Sequence, residues 1–195
     1  MAAADSFVHL HNHTEYSMLD GAARIKDMFA TAQEMGMPAI AMTDHGNVFG
    51  AYDFWSKAKA AGVKPIIGLE AYVAPGQQHR TDKEKTRWGE PHQRGDDVSG
   101  GGAYTHMTLL SETTEGMHNL FRMGSIASLD SVYAKWPRLD RELLSQYSSG
   151  LIATTGAHFA VPERGRLAMA MAAIICGSVR LGSRKRRLRP QRNSR

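Results

Sequence analysis

The chain has 195 residues, of which 42% are hydrophobic and 22% are charged, and it contains a single cysteine. This composition is typical of a globular domain, and the length excludes a large multidomain enzyme. The lone Cys176 excludes a disulfide framework and a zinc knuckle built from cysteines. The longest apolar run, 167–176, is about half of what spans a bilayer, and the N-terminus has no signal-peptide pattern. We therefore expect a soluble, cytoplasmic protein.

The formal net charge of +5 is unevenly distributed along the chain. Residues 164–195 hold ten of the 24 Lys and Arg residues and no acidic residue, whereas the rest of the chain holds all 19 Asp and Glu residues. The sequence thus predicts a mildly acidic body that carries a strongly basic tail.

Short apolar runs alternate with stretches in which apolar residues recur at helical spacing. The first predicted elements are a strand over 7–11, a helix with the apolar face Ile25, Met28, Phe29 and Ala32, a strand over 38–42, and a helix with the face Ala51, Phe54, Trp55 and Ala58, which Gly62 ends. Strands over 66–73 and 104–110 follow, then a helix with Met117, Leu120, Phe121 and Gly124, a short helix capped by Asp140, and a strand over 151–154. Such alternation predicts parallel strand pairing with right-handed crossovers, in an α/β sheet or barrel.

Residues 74–103 interrupt this alternation. The segment is rich in Gly, Pro and charged residues and has no apolar period. Connections longer than roughly 15 residues are usually functional loops or disordered. We predict a surface excursion close to the functional site.

The densest group of metal-ligating residue types lies near the N-terminus. His11 and His13 alternate along the chain, so an extended backbone places both imidazoles on one face, where they suit zinc, manganese or iron. Such His-x-His pairs are also common without a metal. His9 has the same parity, and we predict that it is buried and hydrogen bonded.

Further candidate ligands accompany the next three predicted strands. His45 follows the second strand, Glu70 lies on the third, and His106 lies on the fourth. Because the carboxyl ends of parallel strands meet at one edge, we expect these side chains to converge with the first pair. Asp44 is interpreted as a helix cap or as a residue that orients an imidazole. This excess of His and carboxylate groups, without a thiolate, predicts a multinuclear metal centre for phosphoester hydrolysis.

Four motifs resemble the polymerase and histidinol phosphatase (PHP) domain family. They are His-Leu-His-Asn-His-Thr-Glu-Tyr-Ser-Met-Leu-Asp-Gly from His9, Met-Thr-Asp-His-Gly-Asn-Val-Phe-Gly from Met42, Lys-Pro-Ile-Ile-Gly-Leu-Glu-Ala-Tyr from Lys64, and Tyr-Thr-His-Met-Thr from Tyr104. The resemblance covers residues 6–156, and the stretches 16–21 and 46–50 favour the branch found in the replicative DNA polymerases of bacteria. We therefore expect an N-terminal part of such a polymerase.

The resemblance implies a partial, distorted (β/α)7 TIM-like barrel with up to three divalent metal ions, zinc, manganese or iron. It implies a 3′–5′ exonuclease, with a DNA primer terminus and other replicase subunits, such as the sliding clamp, as partners. The catalytic metal ligands that it implies are His11, His13, Asp20, His45, Glu70 and His106.

The sequence departs from the family pattern after residue 156. Where the family has a metal-binding cysteine followed by Pro-Ser-Gly, this chain has Ala157-His158-Phe159-Ala160. We do not expect His158 to replace the cysteine, because a shift of one residue redirects a side chain. A later Asp-x-His pair of the family also has no counterpart.

Residues 157–195 are expected to lie outside the PHP domain. The basic block 184–189 fits a nucleic-acid-binding arm or the product of a shifted reading frame, and we favour the frame shift because acidic residues disappear where the resemblance stops. A barrel that lacks strands and ligands is expected to be poorly stable and nearly inactive on its own. Two other functions remain open, a metal-free scaffold within the polymerase and a stand-alone phosphoesterase similar to histidinol phosphatase.

Overall fold

The computed structural model describes residues 7–18, 20–85 and 102–155. Its helices are α1 (Ile25–Glu34), α2 (Ala51–Ala61), α3 (Thr114–Asp130) and α4 (Arg141–Gln146). Its strands are β1 (Ala39–Met42), β2 (Lys64–Val73), β3 (Thr105–Ser111), β4 (Val132–Tyr133), β5 (Trp136–Leu139) and β6 (Leu151–Thr155). The mixed α/β class predicted from the sequence is confirmed. Within these described ranges, no helix has the length and apolar character needed to cross a membrane.

The strands form one mixed sheet that is organised around β2. The first half of β2 pairs in parallel with β1, and the second half pairs antiparallel with β3. The last two residues of β2 also pair in parallel with β5, and β6 pairs antiparallel with the other edge of β3. Strands β1, β2, β5 and β6 therefore run in one direction, and β3 runs in the opposite one.

The prediction of parallel pairing is wrong for β3. Val73, at the end of β2, is the register partner of Thr105, so the chain leaves and re-enters the sheet at the same end. A parallel return requires a crossover that covers a sheet face, usually a helix. The sequence of residues 74–103 has no apolar residues at helical spacing, and the returning strand pairs antiparallel with its neighbour.

The predicted strand over 7–11 is also wrong. The segment lies beside β1, where the carbonyl groups of His9 and Asn12 accept hydrogen bonds from Ala41 and Thr43 at 2.9 and 2.8 Å. Between these two hydrogen bonds, two residues (10 and 11) thus oppose one (residue 42), which breaks the regular ladder. His9 is exposed and its ring contacts Phe7 at 4.7 Å, so the prediction that it is buried was wrong.

Helices α1 and α2 pack together over β1 and the first half of β2. The buried residues of α1 are those predicted from its spacing, and Phe29 meets Phe54 of α2 at 4.7 Å between ring centroids. Burying one such side chain stabilises the fold by about 1.5–3 kcal/mol. Gly62 ends α2 in the left-handed conformation, as predicted, whereas Trp55 remains 47% exposed and does not belong to the buried face.

Helices α3 and α4 pack on the second half of β2 and on β3, β5 and β6. The short hairpin β4–β5 between these helices was not predicted from the sequence, because its two-residue and four-residue strands are too short for an alternating pattern. Asp140 caps α4 as predicted, and its carboxylate accepts a hydrogen bond from the Leu143 N–H at 2.9 Å.

Arg138 of β5 joins the two ends of the excursion between β2 and β3. Its side chain is fully buried and donates hydrogen bonds to the backbone carbonyl groups of Arg80 and Asp82 on one side and of Ala103 on the other. Arg80 in turn donates to the Asp140 carboxylate through its N–H at 3.0 Å and its Nη1 at 2.9 Å. The predictions made for 86–101 and for 156–195, including His158, fall outside the described residues.

Candidate metal centre

All six side chains predicted to bind metal line one cavity of about 600 Å³. They come from the segment before α1, from the segment after β1, and from strands β2 and β3. They are His11, His13, Asp20, His45, Glu70 and His106.

Strands β2 and β3 place Glu70 and His106 on one face of the sheet. Tyr72 is the register partner of His106, and Glu70 lies two residues before Tyr72. Because side chains two residues apart on a strand share a face, the three groups point to the same side. His106 lies at the start of β3 and not at a carboxyl end, and it reaches the shared edge because β3 runs opposite to β2.

The backbone after β1 runs along β2 and carries His45 to the cavity. Glu70 donates its N–H to the Asp44 carbonyl at 3.1 Å, and Gly46 donates its N–H to the Glu70 carbonyl at 2.9 Å. Gly46 has φ +65°, and a Cβ there would lie 2.8 Å from Pro137 Cγ, so this close approach requires glycine. The His45 N–H donates to Ser17 Oγ at 3.0 Å.

Asp44 fixes the N-terminal motif to the end of β1. Its fully buried carboxylate accepts hydrogen bonds from the Thr14 N–H at 2.5 Å and from Thr14 Oγ1 at 2.7 Å. Burial raises the pKa of Asp44, and the two hydrogen bonds from Thr14 partly offset that rise. Both earlier interpretations of Asp44, as a helix cap and as a residue that orients an imidazole, were wrong.

A tight turn after Thr14 brings Asp20 back towards His45. The Ser17 N–H donates to the Thr14 carbonyl at 2.8 Å. A Cβ on Gly21 would lie only 1.7 Å from the same carbonyl oxygen, so the turn closes only with glycine at this position. Asp20 Oδ2 consequently lies 2.8 Å from His45 Nε2.

The Glu70 carboxylate is the centre of the cluster. Its Oε2 lies 2.6 Å from His11 Nε2 and 3.1 Å from His13 Nε2. The same oxygen lies 3.7 Å from His45 Nδ1, and Oε1 lies 2.6 Å from His106 Nδ1. Four imidazole rings thus surround one buried carboxylate.

The ionisation of these groups follows from their packing. Burial acts to raise the pKa of Glu70, but hydrogen bonds from His106, His13 and His11 hold that pKa well below its usual range. The hydrogen bond to Glu70 raises the pKa of His13, whereas burial lowers the pKa of His45. At neutral pH the cluster therefore presents a charged carboxylate to neighbouring ring nitrogens.

The arrangement of donor atoms fits divalent cations. Within this cluster, three groups have ligand atoms within 4.8 Å of one another, and we refer to them as the ion-sized groups: His11, His13 and Glu70; His13, Asp20 and His45; and His45, Glu70 and His106. His13 Nδ1 and His45 Nδ1 are buried and make no hydrogen bond to any of the described residues. Imidazole and carboxylate without thiolate suit zinc, manganese and iron.

The sequence did not predict the other side of the cavity, which is formed by the aromatic residues Tyr72, Tyr104 and Trp136 together with Lys135. A signal for the two tyrosines was present, because Tyr72 lies two residues after Glu70 and Tyr104 lies two residues before His106. Lys135 and Trp136 belong to the hairpin that the sequence did not reveal, so no comparable signal pointed to them.

Comparison with known proteins gives a consistent assignment. Residues 9–175 match the family described as PHP domain. The chain is 57% identical over 151 residues to DNA polymerase III subunit alpha of Mycobacterium leprae (strain TN). The aligned residues make up 77% of this chain and 13% of that protein. It is 47% identical over 158 residues to the same subunit of Thermus aquaticus, over 80% of this chain and 12% of that protein. The chain thus spans only a small part of these relatives.

A solved structure was also found to be similar. An amidohydrolase from Chromobacterium violaceum is 18% identical and aligns with a TM-score of 0.39, over 88% of this chain and 51% of that chain.

Proposed function

Because the chain belongs to the PHP domain family and is homologous to the N-terminal region of DNA polymerase III alpha subunits, we propose that its six-residue cluster binds divalent cations and hydrolyses phosphoesters. The native substrate is the 3′ end of a DNA primer, cleaved in the 3′–5′ direction. In the whole polymerase, DNA and the other replicase subunits, including the sliding clamp, are the partners.

One observation carries this proposal: a single buried carboxylate, Glu70, is shared by several imidazoles. Glu70 is 6% exposed and belongs to two of the three ion-sized groups of ligand atoms. A buried carboxylate is costly unless positive charge or hydrogen bonds compensate it. Divalent cations held by Glu70 and the imidazoles would supply that compensation more completely than neutral imidazoles do.

The chain's own residues have distinct tasks in this mechanism. His11, His13 and Glu70 form one ion-binding group, and Asp20 with His45 extends the cluster towards the cavity mouth. Divalent cations bound there would polarise the phosphate and lower the pKa of an attacking water. Since Asp20 is half exposed, with 49% of its side chain accessible, it is the carboxylate that solvent reaches most easily.

Metal content tests the proposal directly. The full chain is dialysed against zinc, manganese or iron and analysed by mass spectrometry of the metal. We expect at least two ions per chain, fewer in His13→Ala, and no change in His118→Ala, an exposed histidine on α3. Less than one ion per folded wild-type chain would contradict the proposal and favour the metal-free scaffold.

Hydrolysis provides the second test. On a primer with a mismatched 3′ end we expect slow turnover that a chelator and His13→Ala both abolish. The turnover is slow because the further ligands implied by the PHP resemblance have no counterpart in the sequence. Cleavage of small phosphomonoesters but not of the primer would identify a phosphatase similar to histidinol phosphatase.

A further inference from the structure

A continuous row of aromatic rings leads from the candidate metal centre to the β4–β5 hairpin. The ring of His106 lies 5.0 Å from the ring of Tyr104, which lies 5.0 Å from the ring of Trp136. Tyr72 supports the row from the neighbouring strand, 4.7 Å from Tyr104. We refer to Tyr72, Tyr104 and Trp136 as the aromatic wall.

The aromatic wall is not part of the hydrophobic core. All three of its residues border the cavity and are only half-buried, whereas the core residues beneath them on β2 and β3 are buried. Large rings left beside solvent at a cavity edge usually mark a binding surface.

A positively charged side chain, Lys135, lies next to the aromatic wall. Lys135 is exposed at the hairpin turn, borders the same cavity, and places its Nζ 5.6 Å from the centre of the Trp136 ring. The preceding residue, Ala134, has φ +56°, so the turn that presents Lys135 and Trp136 is tight. The cavity therefore has imidazoles and carboxylates at one end and aromatic rings with a lysine at the other.

We infer that the aromatic wall is a base-binding subsite for the terminal nucleotide of a single strand. Trp136, supported by Tyr104, stacks on the base, and Lys135 pairs with a neighbouring backbone phosphate. The inference rests on the proposed function, in that the scissile phosphate lies over the six-residue cluster. It goes further by assigning positioning roles to residues outside that cluster.

The division of the cavity supports this assignment. Stacking on an aromatic side chain tolerates any base, because every base presents a π-face, whereas a lysine meets phosphate through charge alone. A site for a small phosphomonoester has no need of aromatic rings placed two ring contacts away from the reacting phosphate. The wall thus favours a nucleotide and discriminates against smaller phosphate esters.

The test measures binding to the full chain in the presence of a chelator, so that the probe stays intact. Two short thymidine oligonucleotides carry fluorescein at the 5′ end and differ only at the 3′ end, which bears either a thymidine or an abasic tetrahydrofuran residue. Fluorescence anisotropy gives the two dissociation constants. We expect the wild-type chain to bind the thymidine-ended probe about tenfold more tightly, which is within the contribution of one stacked base.

The variants separate stacking from charge. Trp136→Leu is expected to abolish the preference, whereas Trp136→Tyr keeps an aromatic face and should retain it, which controls for loss of folding. Trp55→Leu, on the half-exposed tryptophan of α2, should change neither constant. Lys135→Gln should weaken both probes equally, with an effect that shrinks as salt rises.

Two results would overturn the inference: equal binding of both probes by the wild-type chain, or a preference that survives in Trp136→Leu. The proposed function fails by a different observation, the absence of bound metal. A chain that binds no metal but still prefers the thymidine-ended probe would disprove the proposed function and retain the subsite.

Discussion

Replacement of Glu70 by glutamine removes the charge at the centre of the cluster and keeps the shape of the side chain. Glu70 belongs to two of the three ion-sized groups, whereas Asp20 belongs to one. Glu70→Gln is therefore expected to remove two of the ion positions, and Asp20→Asn only one. The comparison tests whether the shared carboxylate organises the centre.

The expected magnitude follows from the contacts of Glu70. Loss of a residue that merely supports a metal ligand weakens metal binding by about 10–100-fold. Since Glu70 lies within 2.6 Å of two ring nitrogens and is proposed as a ligand itself, its replacement should weaken binding by at least about 100-fold, or roughly 2.8 kcal/mol.

Isothermal titration with zinc measures both stoichiometry and affinity. Glu112→Gln, an exposed acid outside the cavity, serves as the matched control. A second readout needs no metal: because the hydrogen bond to Glu70 raises the pKa of His13, that pKa should fall in Glu70→Gln when followed by NMR. Unchanged zinc binding in Glu70→Gln, or a larger loss in Asp20→Asn, would refute the reasoning.

Three further predictions concern the fold around the site, and urea denaturation measures each of them. Asp140→Asn should lower the free energy of unfolding at pH 7 by about 1.5–3 kcal/mol, because its amide still caps Leu143 but no longer pairs with Arg80. Burial acts to raise the pKa of Asp140, but hydrogen bonds from Leu143 and Arg80 hold it below its ordinary value, so this contribution is present above about pH 4 and is lost as the pH falls through the lower, folded-state pKa. Arg138→Met removes the donors to the buried Ala103 carbonyl and to the part-buried Arg80 and Asp82 carbonyls, and should cost about 2–4 kcal/mol. Gly46→Ala forces a Cβ into the left-handed conformation against Pro137 and should cost about 1–3 kcal/mol.

Two of these predictions have a control variant in the chain. Glu142→Gln, an exposed acid in the first turn of α4, should leave stability unchanged, and an equal loss there would argue against a specific role of Asp140. Gly124→Ala, in the middle of α3 with open space around its Cβ, should stabilise the fold by about 0.5–1 kcal/mol. An Arg138→Met variant within about 0.5 kcal/mol of the wild type would show that water satisfies the carbonyl groups.

The sequence predicts the elements whose signal is local. The buried face of α1 repeats at helical spacing, Gly62 ends α2, and Asp140 caps α4, each through a property of the residue itself. The direction of β3 is different, because it depends on whether the connection before it covers a sheet face. The segment before α1 failed as a strand because two of its residues oppose one residue of β1, a mismatch that appears only once the two segments are paired.

The candidate site also contains residues that the sequence predicts and residues that it does not. Five of its six His, Asp and Glu residues stand out in the sequence by chemical type and position, whereas Asp20 was predicted only from the resemblance to the PHP domain family. The structure brings all six together, although His106 arrives from the opposite strand direction. The aromatic wall consists of residue types that are ordinary in a core, and the half-exposure of its three rings beside the cavity distinguishes it. Asp44 shows the opposite error. Its position beside a histidine suggested a role towards an imidazole, but its carboxylate accepts hydrogen bonds from the N–H and Oγ1 of Thr14.

The buried guanidinium of Arg138 has a consequence for how this region tolerates variation in length. One side chain fastens residues 80–82 and residue 103 to the same strand, so the intervening chain begins and ends at fixed points. The entropy of closing such a segment rises only with the logarithm of its length, about 0.6 kcal/mol for each doubling. Insertions and deletions there would therefore alter stability little, because Arg138 keeps both ends of the segment fixed while β2 and β3 stay in register.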